Sequence, residues 1–524
     1  VISQAQQKGA AVSTRRNIGY NLAYRVFSMA LPIVTAPYLS RVVGKDGVGL
    51  YSYTWGISTL FVLLGTFGLT DYGVRAIARE KEDPLRLNRT FSAIYRMQLV
   101  VAGAALLGYL VYALFIAGAE KVLALHMTMM SVACLVNLDW ALMGLDQFKP
   151  IALKNTLVKL MAAACVFLFV KSAEDLWIYA LVWSGSTLVG SLLTWTNLRG
   201  RVKFVAVPWK EAWRHLLPCM RLFLSVVAVN VYRTMDKVMV GAISGMGQNG
   251  LYENAEKIIF SLASIFSAVS AVRMPKMSSL YAKGDVAAVR RGLGVILEFF
   301  MCFSTMTAFG LYVQGEDFAV LFYGEAFRGS GLLLRYLGFS LILIALANAI
   351  RTHWILPRGK DHLVVISVTA GAVVNLVVNL MLIPSMGAMG AVIGTLAAES
   401  TVPLVQFLFL RREVNYRRNL RVWFFDILSA WAAAQVGLWV KAVVHLSDWW
   451  ELVVQLLAML LIYELLIDLR QLFTGMNLLS NAILPNQWRI RLPRGKSMSG
   501  EDEMLEGEEG CPQEDEPQPP DQQE

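Results

Sequence analysis

Asn230, Arg233 and Lys237 fall at i, i+3 and i+7 of an otherwise apolar stretch, which places them on one stripe of a helix. Arg233 and Lys237 are like charges four residues apart, an arrangement that mildly destabilises an isolated helix. An anion resolves the conflict. Asp236, next to Lys237, is one source; a pyrophosphate group or an acidic sugar is another, because guanidinium and ammonium groups bind phosphate oxygens by charge-assisted hydrogen bonds. Arg25, with Asn21 four residues earlier on the same face, and Lys159 complete the candidate anion-binding set. Arg25 lies near the end of its apolar stretch, where its long stem also allows it to snorkel to the interface. Lys159 lies deeper. A charge at the centre of a bilayer costs ~2.5–3.5 kcal/mol on insertion scales, so such groups face a partner or a water-filled cavity.

Asp139, Asp236, Glu256, Glu298 and Glu399 are carboxylates in apolar stretches. They are the candidates for exchanging a proton or Na⁺, since either removes a buried negative charge. The competing explanation is a buried pair with a cation such as Arg335. Glu253 and Lys257 have the favourable Glu-before-Lys i,i+4 order, and a local ion pair accounts for both. Four of the five cysteines, Cys134, Cys165, Cys219 and Cys302, sit in apolar stretches and Cys511 in the tail, so no disulfide framework or metal site is expected. The connection from Gln314 to Gly329 carries Glu316, Asp317 and Glu325 but no nucleophile or ligand pattern. No catalytic constellation appears, and no cofactor is expected apart from a coupling H⁺ or Na⁺.

The elements that must position these groups are membrane spans. Hydrophobic residues make up 56% of the chain and charged residues 16%, against roughly 25% charged in soluble domains; the mean hydropathy is +0.52. About fourteen apolar stretches are long enough to cross a hydrocarbon layer of about 30 Å as helices. Alternate connections are rich in Lys and Arg: Lys8 to Arg16, Arg75 to Arg89, Arg199 to Arg214, Arg273 to Arg291, Arg351 to Lys360, Arg411 to Arg421 and Arg489 to Lys496. The connections between them hold few cations. This asymmetry predicts an even number of spans with both termini cytoplasmic, and it ties the net charge of +9 to anionic lipid rather than nucleic acid. Trp177, Trp449 and Trp450 at one side and Trp354 and Trp423 at the other are expected in interfacial belts.

A repeat organises the spans. Gly44 and Gly245 each open G-x-x-x-x-G-L-Y, 201 residues apart, ending at Gly49 and Gly250 before Leu and Tyr. Each copy sits between two spans, the first and second, then the seventh and eighth. An intervening even number of spans gives the copies the same orientation, as in two parallel half-bundles around a central cavity. The four glycines are expected to form tight turns that gate that cavity. Pro208 to Pro218, between the halves, puts Trp209, Trp213 and Leu216 on one stripe of an interfacial helix.

The stretches "NVYRTMDKVMVGAISGMGQNGLYENAEKI", "VRMPKMSSLYAKGD", "PYLSRVVGKDGVGLYSY" and "GAMGAVIGTLAAE" resemble the polysaccharide-biosynthesis flippases, the Wzx-like branch of the multidrug/oligosaccharidyl-lipid/polysaccharide exporter superfamily. The resemblance implies an all-α integral membrane fold with two parallel six-helix lobes, V-shaped and MATE-like, plus two C-terminal helices in the bacterial cytoplasmic membrane. It also implies alternating access acting on an undecaprenyl-pyrophosphate-linked oligosaccharide, alongside membrane lipids and a polysaccharide polymerase or glycosyltransferases. A drug/cation antiporter of the same superfamily is the alternative, followed by a membrane glycosyltransferase or polymerase. The expected organisation is an N-terminal segment (1–17), spans one to six (18–198), an interfacial linker (199–218), spans seven to twelve (219–410), spans thirteen and fourteen (411–470) and a tail (471–524). That tail is acidic, Pro-rich and expected to be disordered from about residue 498.

Overall fold

The computed structural model describes residues 2–411, 413, 417–444 and 448–474, with side chains from Leu31 onward except at 32, 224–226, 228–233, 417–421, 448 and 471–474. The side chains of Asn21, Arg25, Asn230 and Arg233, and the tail with Cys511, therefore lie outside the described residues. Packing divides the chain into Val1–Tyr463 and Glu464–Glu524. The first unit holds the bundle; the described part of the second is the last turns of its final helix.

All regular elements among the described residues are helical. The first, α1 (Ile2–Thr66), covers two expected spans and is interrupted only at Gly44, whose φ of 69° and ψ of 179° glycine alone adopts readily. The expected connection has shrunk to one residue. After a turn at Phe67 and Gly68, α2 (Leu69–Glu80) buries Leu69, Gly73 and Ile77 at i, i+4 and i+8 and exposes Arg75 and Arg79. A segment expected as a charged connection is thus an amphipathic helix, its stripe hidden among the cations. Next, α3 (Pro84–Val111) starts where Asp83 accepts hydrogen bonds from the nitrogens of Leu85 and Arg86 at 2.9 and 3.2 Å, with proline in the first turn.

The expected fourth span is broken into α4 (Lys121–Val136) and α5 (Asp139–Gly144). Asn137 makes the break, its Oδ1 accepting from the Asp139 nitrogen at 3.0 Å. Beyond α6 (Phe148–Phe169) and α7 (Leu176–Leu198), the linker runs extended along α3. The nitrogens of Lys203 and Val205 donate to Asn88 Oδ1 and Ser92 Oγ at 2.7 and 3.0 Å, and Phe204 packs among Phe91, Tyr95 and Trp195. It ends in α8 (Trp209–Trp213), where Arg89 forks onto Glu211 and Arg96 lies 4.8 Å over the Trp209 ring. Trp209 and Trp213 stay exposed, as an interfacial helix requires.

The second repeat begins with α9 (Leu216–Ser244), joined at Gly245 (φ 92°, ψ 165°) to α10 (Met246–Ala282). Then follow α11 (Val286–Tyr323), α12 (Arg328–Leu337) and α13 (Ser340–Ile350), the last two dividing the expected tenth span. Gly387 joins α14 (Asp361–Met386) to α15 (Ala388–Leu410), and α16 (Arg417–Val443) and α17 (Asp448–Thr474) complete the chain. Among the described residues 12 segments are long and apolar enough to cross a membrane, and the 29-residue α9 fills the stretch expected as the seventh span. Exposed Leu107, Phe115, Met161, Met381 and Leu461 give the helices apolar outer faces. Spanning hydrocarbon this way leaves no backbone polar group unsatisfied. The chain is a multi-pass membrane protein.

Two expected belt residues are not in a belt. Trp354 and Trp423 are buried, and Trp354 Nε1 donates to Glu413 Oε2 at 3.2 Å, whereas Trp177, Trp449 and Trp450 are exposed as expected.

Candidate functional site

The two glycine repeats meet. Gly49 and Gly250 are helical, with no positive φ, so their lack of a side chain serves close approach rather than a turn. A Cβ on Gly49 would lie 1.7 Å from the Met246 carbonyl oxygen, and one on Gly250 would lie 1.9 Å from that of Lys45. Gly44 and Gly245 supply the turns; Gly49 and Gly250 supply the crossing. Asn249 Nδ2 donates to the Gly49 carbonyl at 2.8 Å and Asn254 Nδ2 to Ser40 Oγ at 2.7 Å, so hydrogen bonds tie α1 to α10 on both sides of the crossing.

One helical turn beyond, α9 and α10 bring a charged cluster together. Lys237 Nζ lies 2.7 Å from Glu253 Oε2 and 2.7 Å from Glu256 Oε2. Lys257 Nζ lies 3.0 Å from Glu253 Oε1, the i,i+4 pair expected from sequence. Ser52 Oγ of α1 donates to Glu253 Oε2 at 2.7 Å, across the same 201-residue offset that separates the glycines. Glu253 and Glu256 are 7% and 4% exposed, whereas both lysines are partly exposed, so the carboxylates are buried and the ammoniums lie at the edge. A buried charge is tolerated only when paired and hydrogen-bonded; here two ammoniums answer two carboxylates.

Asp236 does not serve Lys237. Its Oδ2 accepts from Tyr252 Oη and Thr395 Oγ1, each at 2.9 Å, and its Oδ1 accepts from Asn379 Nδ2 at 2.6 Å. Neighbours in a helix sequence point about 100° apart: Asp236 pairs with neighbouring helices, held by Tyr252 of α10, Asn379 of α14 and Thr395 of α15, while Lys237 reaches Glu253 and Glu256 of α10. Gly394 makes room for this arrangement, since a Cβ there would lie 2.0 Å from Asn379 Oδ1. Asp236 is thus a buried carboxylate held by two hydroxyls and one amide N–H, all uncharged.

A second buried pair lies in the first repeat. Lys154 Nζ of α6 sits 2.8 Å from Asp139 Oδ1, and it donates to the Gly190 carbonyl at 2.9 Å and Asn155 Oδ1 at 3.1 Å. Thr194 Oγ1 of α7 donates to Asp139 Oδ1 at 2.7 Å. Asp139 and Glu256 are therefore both in ion pairs, but neither uses Arg335, whose Nη2 lies 3.1 Å from Glu316 Oε1. Lys159 is partly buried on α6, Glu298 is buried on α11 and Glu399 is partly buried on α15; the structure does not gather these three into the Lys237 cluster. Among the described residues no group of three or more His, Cys, Asp or Glu could hold a metal ion.

Sequence reasoning missed Lys154, Ser52, Thr395 and Asn379 as members of polar clusters. Asn375 and Asn379, an i,i+4 amide pair inside an apolar helix, were a readable signal. Ser52 was readable too, as the repeat equivalent of Glu253.

The fold and sequence have known counterparts. Over 408 residues the chain is 22% identical to an Escherichia coli (strain K12) protein named "Putative O-antigen transporter", an alignment covering 76% of this chain and 97% of that protein. A Shigella dysenteriae protein of the same name is 21% identical over 388 residues, covering 71% and 94%. Among solved structures, the lipid II flippase MurJ in an inward closed conformation superposes with a TM-score of 0.73 at 15% identity, covering 88% of this chain and 100% of that one. An inward-facing multidrug resistance MATE transporter of the MOP superfamily gives a TM-score of 0.58 at 14% identity, covering 74% and 94%. The fold is MurJ- and MATE-like. With residues 14–281, half of its length, matched by the family described as polysaccharide biosynthesis protein, the chain belongs to that family.

Proposed function

We propose that this chain is a flippase that moves a polyprenyl-pyrophosphate-linked oligosaccharide across the bacterial cytoplasmic membrane by alternating access. The observation that carries the reading is the partly buried Lys237 cluster beside the crossing of the two repeats. Its ammonium groups offer an anionic head group charge-assisted hydrogen bonds in a low-dielectric setting. The relatives' names support the class of cargo. A phosphate-bearing glycan in bare hydrocarbon would leave polar groups unpartnered at several kcal/mol each, and a cationic path through the protein removes most of that barrier.

Arg25, Lys159, Asn230, Arg233 and Lys237 form the cargo path in this reading, with the polyprenyl tail left in lipid. Asp236 is the group that takes up a coupling H⁺ or Na⁺, because neutral donors surround it and none of the hydrogen bonds to it comes from a cation. Asp139, Glu256, Glu298 and Glu399 are subsidiary candidates. The Arg- and Lys-rich connections face the cytoplasm together with both termini, and the polymerase or glycosyltransferases of the same route are the natural protein partners.

A proteoliposome sidedness assay tests the proposal. A polyprenyl-pyrophosphate oligosaccharide is placed in one leaflet and its accessibility to an added enzyme is followed for the wild type and an Arg233→Ala, Lys237→Ala double mutant. Protein-dependent movement that the double mutant loses while staying folded is expected. Failure of the wild type to move the lipid, with export of organic cations against an ion gradient instead, overturns it in favour of an antiporter.

A further inference from the structure

Glu253 is the charged residue through which the cluster reaches across the repeats. Its Oε2 holds Ser52 Oγ of α1 and Lys237 Nζ of α9 at once, each at 2.7 Å, and its Oε1 holds Lys257 at 3.0 Å. It stands three residues after Gly250, so the bond to Ser52 lies beside the glycine crossing of α1 and α10. The other ties across the crossing, from Asn249 and Asn254, are neutral and touch neither lysine.

We infer that Glu253 is a resident stand-in for the cargo's pyrophosphate, and that its displacement by the incoming anion releases the bond to Ser52 and unlocks the Gly49/Gly250 crossing. The inference rests on the flippase reading above. A pyrophosphate carries more charge than one carboxylate and presents oxygens to both lysines, so it wins the exchange at the same two ammoniums. A displaced carboxylate then faces an anion at close range with no cation of its own, a situation a buried charge does not tolerate. It must leave the cluster, and Ser52 loses its acceptor. Glu256 contacts Lys237 and, among the described residues, makes no hydrogen bond to α1, so it carries no such message. Glu253 is in this sense a positioning residue: it converts occupancy of the lysines into freedom of the crossing.

The test uses the full chain in nanodiscs with cysteines at exposed Lys45 and Gln248, on either side of the crossing, and a short bismaleimide whose cross-linking rate reports closure. Undecaprenyl pyrophosphate is the probe and undecaprenol the uncharged control. In the wild type the pyrophosphate, and not the alcohol, is expected to slow cross-linking. Ser52→Ala is expected to slow it without any ligand. Glu253→Gln keeps a hydrogen-bonding group for Ser52 but no competing charge, so its Kd for undecaprenyl pyrophosphate is expected to fall about tenfold while cross-linking stops responding to ligand. Unchanged or weaker binding by Glu253→Gln, or an unchanged ligand response, overturns the inference and leaves the flippase reading standing. Absence of pyrophosphate binding by the wild type overturns both.

Discussion

Gly49 and Gly250 approach so closely that a Cβ on either would lie within 3.0 Å of the other's backbone nitrogen, at 2.8 and 3.0 Å. They occupy equivalent places in two repeats 201 residues apart, so one short motif supplies both faces of its own contact. The motif returns because it packs against itself.

Replacing Gly250 by Val places a branched side chain where the Lys45 carbonyl stands. Overpacking of this kind costs about 1–3 kcal/mol when neighbours can yield, and here the neighbour is backbone. The closed crossing is expected to be lost while the helices still insert, so transport should fall several-fold more than protein level. Transport equal to wild type at equal protein level would count against the assignment of this crossing as a gate.

Lys154→Met leaves the partly buried Asp139 without its cation. Removing one partner of a fully buried pair typically costs about 3–5 kcal/mol, an upper bound here because Asp139 is partly exposed, whereas replacing both by apolar groups is often close to neutral. Thermal unfolding in detergent is expected to show a large loss for Lys154→Met and recovery in Lys154→Met/Asp139→Leu. If Asp139 instead titrates with a transported ion, the double variant will be stable but will lose ion-dependent transport.

Asp236→Ala removes the acceptor shared by Tyr252, Thr395 and Asn379; the two hydroxyls, 2.9 Å apart, and Asn379 with Asn375 at 3.2 Å keep part of the network, but at least one donor loses its partner. A buried donor left without a partner costs about 1–3 kcal/mol, so the variant should be less stable by about that amount. Asn379→Ala should cost less, and in a double-mutant cycle the two should fall short of additive by about 0.5–3 kcal/mol. Transport by the milder Asp236→Asn variant, measured with and without a Na⁺ or proton gradient, separates ion coupling from structure: loss of gradient dependence alone identifies Asp236 as the coupling group.

Glu413 follows α15 and binds Arg358, Lys360 (2.6 Å) and Trp354. Burial acts to raise its pKa, but the hydrogen bonds from Lys360 and Trp354 and the charges of Arg358 and Lys360 outweigh it and hold the carboxyl below its ordinary value. A carboxyl with a lowered folded pKa contributes stability that is complete above the ordinary glutamate value of about 4.3 and is lost as pH falls toward the folded one. The melting temperature should therefore decline as pH drops below about 5, with a shallower slope in Glu413→Gln. An identical slope in the two proteins would show that Glu413 is not the group responsible.

Hydropathy and the alternation of cations made the spans legible, and the glycine repeat made the crossing legible as a pair of special places, though not as one contact. Asp236 and Lys237 were visible as buried charges because such residues are rare in spans. Their partners were not, since a helix sequence gives neither its rotation about its axis nor its neighbours. Arg335 was offered as the cation for a carboxylate such as Glu256 for that reason, whereas Lys237 of another helix lies 2.7 Å from it. The division of the fourth span at Asn137 was hidden because apolar residues run on both sides of Asn137 and Asp139, and α2 by the density of arginine around its narrow apolar stripe.

The crossing also bears on how the molecule is made. Gly49 leaves the ribosome about two hundred residues before its partner, and synthesis at roughly 5–20 residues per second separates the two by about 10–40 s. During that interval the first hairpin must persist in the bilayer with the α10-facing side of Gly49 against lipid or transient neighbours. Contacts of such long sequence separation form late. Assembly is thus completed, rather than begun, where the two glycines meet, and a nascent chain stalled before Gly250 would carry an apolar first half with no means of closing.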